Sequence, residues 1–133
     1  MKLSADMNHE EAAIRAFVTP DRQDRYLVFL SNPKGRAKFT AELAHFRALN
    51  IKYARTIPPN QQNAPSVAGL LRSKGAGSQC WVISEDPKVD ARQMDLETAL
   101  RATIGRGMGT IISCVPGRLA YFENEDSRYI LER

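Results

Sequence analysis

Apolar positions recur at helical spacing through the N-terminal part of the chain and close up into near-continuous runs towards its end. Ala13, Ile14, Phe17 and Val18 form the first stripe, and Asn8 with Glu11 gives the capping-box pattern that predicts a helix start at Asn8. Thr19-Pro20 restarts the chain, with threonine as cap and proline at the first helical position. The predicted second helix carries Tyr26, Leu27, Phe29 and Leu30. Asn32-Pro33 repeats the signal for a third helix with Phe39, Leu43 and Phe46 inward, Leu49 near its end and Asn50 as a left-handed cap.

The period then changes. Ile51, Tyr53 and Ile57 alternate with Lys52, Ala54 and Thr56, which predicts a short strand, and the three prolines in 58–65 exclude regular structure there. A helix is expected from its cap at Ser66 to Lys74, closed by Gly75. A buried strand follows at Cys80–Ile83, then a polar connection over 85–94, then a helix capped by Asp95 and ended by Gly105. Thr110–Val115, Leu119–Phe122 and Arg128–Leu131 predict a β-meander. Pro116-Gly117 favours a type II turn rather than the primed turns of two-residue hairpins, so a longer or bulged connection is expected. The fold class is therefore α+β: N-terminal helices followed by a mixed, mainly antiparallel sheet ending in a C-terminal β-meander. The helix–strand alternation between 51 and 115 leaves room for parallel crossovers. No repeat or low-complexity segment divides residues 1–133, which read as one domain.

Composition is that of an ordinary globular chain, 43% hydrophobic and 26% charged. No apolar run reaches the roughly 20 residues of a membrane span, and the segment Met1–Asp6 lacks the apolar core of a leader. A cytoplasmic protein is expected, with Cys80 and Cys114 as buried free thiols in strand-like segments. The net charge of +4 lies wholly in residues 1–66, concentrated where Lys34, Arg36, Lys38, Arg47, Lys52 and Arg55 face only Glu42. This bias suits an anionic partner but falls short of a dedicated nucleic-acid surface.

Three segments stand out chemically. In Pro58-Pro59-Asn60-Gln61-Gln62-Asn63, four consecutive amides between prolines could read a peptide backbone or base edges; the alternative is a connector whose amides satisfy its own backbone. Gly105-Arg106-Gly107-Met108-Gly109 is rich in glycine but leads from a helix C-terminus into a strand, the wrong order for a phosphate loop. Arg106 alone could still hold an anion. Ser84-Glu85-Asp86-Pro87 leaves the Trp81 strand with two carboxylates, which suits acid–base chemistry or an Asp-Pro turn, the turn being favoured. His9 and His45 offer no metal-ligand spacing, so neither metal nor cofactor is expected. The aromatics Phe39, Phe46, Trp81, Tyr121 and Phe122 read as core; Tyr121 with Tyr129 on one sheet face would instead offer a stacking platform.

The stretch from Gly107-Met108-Gly109-Thr110 through Arg118-Leu119-Ala120-Tyr121-Phe122-Glu123, with Pro58-Pro59-Asn60-Gln61, resembles small bacterial proteins to which no function is assigned. The resemblance implies no activity, cofactor or catalytic residue. The leading expectation is a non-catalytic binding or regulatory domain. It would engage a protein or an anionic partner through Asn60, Gln61 and Gln62, the neighbouring basic helix with Lys34, Arg36 and Lys38, and the arginines Arg106 and Arg118. The alternatives are a small enzyme with Glu85, Asp86, Arg106 and Arg118 at the strand ends, and nucleic-acid binding in helix-turn-helix manner across Ser31-Asn32-Pro33. Pairing of an exposed final strand would make a homodimer.

Overall fold

The computed structural model describes residues 5–133; residues 1–4, on which part of the N-terminal reading rests, lie outside it. Helices α1 (Ala5–Phe17), α2 (Pro20–Leu30) and α3 (Pro33–Leu43) come first. The first begins before Asn8, so the expected start lies inside it. Pro20 and Pro33 open the next two, and the Asn32 side chain accepts from the Gly35 N–H as predicted. Asn50 does not take up a left-handed cap: its backbone is extended, and its side chain caps a short 3₁₀ turn at Ile51–Tyr53. The expected strand therefore shrinks to β1 (Ala54–Thr56), leaving Ile51 81% exposed. A second 3₁₀ turn, Pro59–Gln61, interrupts the proline-rich segment. Helix α4 runs Ala64–Ser73, and its cap is Asn63 rather than Ser66: the asparagine side chain accepts from the Ser66 N–H.

The remaining elements are β2 (Gln79–Ser84), β3 (Arg92–Asp95), α5 (Leu96–Thr103), β4 (Thr110–Val115), β5 (Leu119–Glu123) and β6 (Arg128–Glu132). Asp95 caps α5 as expected. Strand β3 replaces part of the polar connection over 85–94; its sequence, Arg-Gln-Met-Asp, carries no apolar alternation because it is an edge strand with mostly exposed residues. The Pro116-Gly117 connection behaves as its turn chemistry requires. Gly117 has φ +73°, the Arg118 N–H bonds the Val115 carbonyl, and a bulge at Cys114 absorbs the mismatch in β4.

The α+β class holds, with helices leading and a meander closing the chain. The sheet order is β1-β6-β5-β4-β2-β3, and every neighbouring pair is antiparallel. Crossovers do occur, but the strands they join are not neighbours. Helix α4 carries the chain from β1 to β2 past three intervening strands, and α5 carries it from β3 to β4 past β2. No parallel pair results. Strand β6 is interior, so the proposed dimer through an exposed final strand has no free edge to use; the edges are β1 and β3.

Both faces of the sheet are covered, which explains the near-continuous apolar runs. Ile83, Ile111, Ala120, Phe122 and Leu131 pack under α1, α2 and α3. Their neighbours Val82, Ile112, Tyr121 and Ile130 pack under α4 and α5. Tyr121 and Tyr129 thus point to opposite faces and form no stacking platform. The aromatic core assignment stands: Phe39, Tyr121 and Phe122 are buried, while Phe46 and Trp81 are partly buried against them. Cys80 and Cys114 are buried free thiols, and burial pushes each up to about 12. Among the described residues no helix is long and apolar enough to cross a membrane.

The helical layer and the sheet approach closely at Gly109. A Cβ there would stand 2.4 Å from the Leu43 carbonyl carbon and 2.6 Å from the Ala44 nitrogen. Gly109→Ala should destabilise the fold by about 3 kcal/mol in urea unfolding. Gly77→Ala, whose Cβ would meet nothing within 4 Å, should leave the midpoint close to that of the parent.

Candidate functional site

Strand register gathers three of the segments with chemical character at one end of the sheet. Ser84 pairs with Thr110, Thr110 with Glu123, and Glu123 with Arg128, so these four stand in one row. The amide loop, the Glu85-Asp86 segment and the glycine segment all leave the sheet at this row. Arg118 does not join them. It precedes β5, whose five residues separate it from Glu123 by roughly 17 Å at strand rise. Arg118 is therefore not brought to the end of the sheet from which the Glu85-Asp86 and glycine segments leave.

The groups that do meet there are bonded to one another. Glu123 is fully buried, and its carboxylate accepts three hydrogen bonds and faces one arginine. Gly105 and Gly107, with φ of +88° and +69°, turn their N–H groups onto Oε2 at 3.1 and 3.2 Å. The Tyr121 hydroxyl donates to Oε1 at 2.7 Å, and Arg128 Nε lies 3.3 Å from the same atom. The glycine segment thus does cradle an anion, and the anion is the chain's own carboxylate. Burial, then the charge and hydrogen bond of Glu123, raise the Tyr121 hydroxyl above its ordinary range, so it remains a donor. Arg128 also donates to Gln62 Oε1 at 2.7 Å, and Gln62 Nε2 donates to the Ile57 carbonyl at 2.8 Å. One network therefore joins the amide loop to the glycine segment.

The other candidates sort by what they touch. Gln62 and Asn63 serve the fold, the first through Arg128 and Ile57 and the second as the cap of α4; Asn60 stays exposed and Gln61 half-buried. Glu85 accepts from the Gly109 N–H, and Asp86 accepts from the Lys88 N–H, which is the Asp-Pro turn in its structural role. Arg106 and Arg118 are exposed at opposite ends of the sheet. The amide loop and the basic helix α3 lie over different faces: Ile57 belongs to the core under α4 and α5, Phe39 to the core under α1 and α2.

Arg36 is the largest departure from the pattern of charge. Its guanidinium donates to both oxygens of Glu10 at 2.9 and 2.8 Å and to both oxygens of Asp90 at 2.8 and 3.0 Å. Trp81 Nε1 donates to Glu10 at 2.8 Å, and Asp90 accepts from the Ser84 N–H at 2.9 Å. Burial alone would lower the arginine, but the hydrogen bonds and charges of Asp90 and Glu10 outweigh it and raise it. Arg36 is a clamp inside the protein; Lys34 and Lys38 are exposed.

Sequence reasoning missed Glu10, Asp90, Glu123 and Arg128: Glu10 and Asp90 lie 26 and 54 residues from Arg36, and Arg128 lies 66 residues from Gln62, while Glu123 has partners close by as well as distant ones. The visible signal was the Tyr121-x-Glu123 spacing, which puts a carboxylate beside a phenol on one strand face. Every buried side-chain nitrogen and oxygen among the described residues has a hydrogen-bond partner. Comparison with protein-family models, curated proteins and solved structures finds no match.

His9 joins α1 to the sheet, with Nδ1 2.7 Å from the buried Ser113 hydroxyl. Burial lowers its pKa below the ordinary value, with the Glu10 charge opposing. The folded state thus binds this proton less readily than the unfolded chain. Its contribution to stability is complete above the ordinary histidine value and is lost as the pH falls through the lowered one. Urea midpoints measured between about pH 7.5 and 5 should fall, and His9→Gln should flatten that slope. An identical slope in the variant would assign the effect elsewhere.

Proposed function

We propose that the chain is a cytosolic, non-catalytic binding domain whose outward α3 face docks on the acidic surface of a partner protein. The observation that carries this reading is the split of charge on α3. Arg36 turns inward to Glu10 and Asp90, while Lys34 and Lys38 stand one turn apart on the solvent side. Ala37 and Ala41 occupy the exposed positions between and beyond them, so a partner can approach the helix closely. The one acidic residue of the helix, Glu42, faces Arg25 of α2 at 4.0 Å. Two lysines make a small electrostatic footprint, better matched to an acidic protein patch than to the six to ten phosphate contacts that a typical nucleic-acid binder uses (about that number).

The exposed Asn60 and half-buried Gln61 could serve a separate contact, since they lie over the other face of the sheet. Fluorescence anisotropy with labelled poly-glutamate and with duplex DNA tests the assignment. Poly-glutamate should bind at low salt, and Lys34→Glu with Lys38→Glu should weaken it about tenfold. Asn60→Ala with Gln61→Ala should leave it unchanged. Affinity insensitive to the charge reversal would overturn the α3 assignment, and tighter binding to DNA would replace the protein partner by nucleic acid.

A further inference from the structure

A cleft of about 580 Å3 opens between the start of α2 and the segment that follows α3. Its floor is Tyr26 and Phe46, whose rings lie 5.5 Å apart, and Asp21, Arg22, Glu42, His45 and Arg47 also line it. The volume lies within the range of small-molecule sites, roughly 300–1,000 Å3.

One lining residue belongs to a second constellation. His45 Nδ1 stands 3.2 Å from Glu125 Oε1 and 3.6 Å from Asp126 Oδ2, and the three atoms all lie within 4.8 Å of one another. These residues come from two separate parts of the fold, the end of α3 and the β5–β6 turn. Asn124, itself buried, fixes their relation. Its Nδ2 donates to the Leu43 carbonyl at 3.3 Å, and its Oδ1 accepts from the Asp126 and Ser127 N–H groups at 2.9 Å each. Gly109, packed against Leu43 and Ala44, leaves that corner no room to shift.

We propose that His45, Glu125 and Asp126 bind a divalent transition cation of the Zn2+ class at the mouth of this cleft. Ligands at about 2.0–2.2 Å from a tetrahedral or octahedral ion stand roughly 3.0–3.6 Å apart; the two histidine–carboxylate spans of 3.2 and 3.6 Å fall in that range, and the two carboxylates lie within 4.8 Å of each other. One imidazole and two carboxylates neutralise a divalent ion. Three protein ligands leave coordination positions open, as in sites that accept a ligand rather than purely structural ones. His45 lines the cleft, so an anionic group entering over Tyr26 and Phe46 could reach the ion. The proposal is independent of the α3 docking face, because none of its ligands lies on that face.

The experiment is titration of the full chain with Zn2+ alone, followed by calorimetry and by the thermal midpoint. One ion per chain should bind with a dissociation constant below about 1 mM and raise the midpoint. His45→Ala should abolish the effect, and Asp126→Asn should weaken it roughly tenfold or more. All three ligands are more than half exposed, so these variants should keep the parent's circular dichroism. His9→Gln should bind as the parent does. No saturable uptake, or uptake unchanged in His45→Ala, would overturn the site and leave His45 with an ion-pairing role only.

Discussion

A single guanidinium, that of Arg36, ties the helical layer to the sheet. It holds Glu10 of α1 and Asp90 of the β2–β3 connection by paired hydrogen bonds from α3 itself. Through Glu10 it reaches Trp81, and through Asp90 it reaches the backbone of Ser84 at the end of β2. The arginine and its two carboxylates are largely withdrawn from water, with side-chain exposures of 18%, 10% and 19%. Such a group is costly to leave unpaired, so the position of α3 over the sheet depends on both acids being present. The same inward turn of Arg36 leaves Lys34 and Lys38 as the cations that the helix offers to solvent.

A second buried charge organises the opposite side of the sheet. Glu123 collects the glycine segment, Tyr121 and Arg128, and Arg128 in turn holds Gln62 of the amide loop. The features that most resembled a ligand site in the sequence are thereby spent on one another. Among the described residues, exposed features at the periphery include the outward face of α3, the aromatic cleft beside its end, and the histidine–carboxylate group at the cleft's mouth.

Much of the fold was legible because local chemistry dictated it. Pro20, Pro33 and Asp95 mark helix starts, and the bulge near Cys114 follows from a turn type that does not fit a tight hairpin. Strand β3 was not legible, since an exposed edge strand needs no apolar alternation. Strand order was not legible either: whether a crossover joins neighbours depends on which strand slips between them, and β2 does so between β3 and β4. The functional reading of the charges suffered from the same blindness to distance. Lys34, Arg36 and Lys38 look equivalent along the chain, yet the partners that separate Arg36 from the lysines lie 26 and 54 residues away.

The most direct measurement is a double-mutant cycle between Arg36 and Glu10, with Arg36→Met and Glu10→Gln followed by urea unfolding. Each single variant should cost about 3 kcal/mol or more, because each leaves a withdrawn charge without its partner. The double variant should cost less than the sum by at least about 1 kcal/mol. Two small and additive losses, each below about 1 kcal/mol, would show an exposed ion pair of no structural weight and contradict the account.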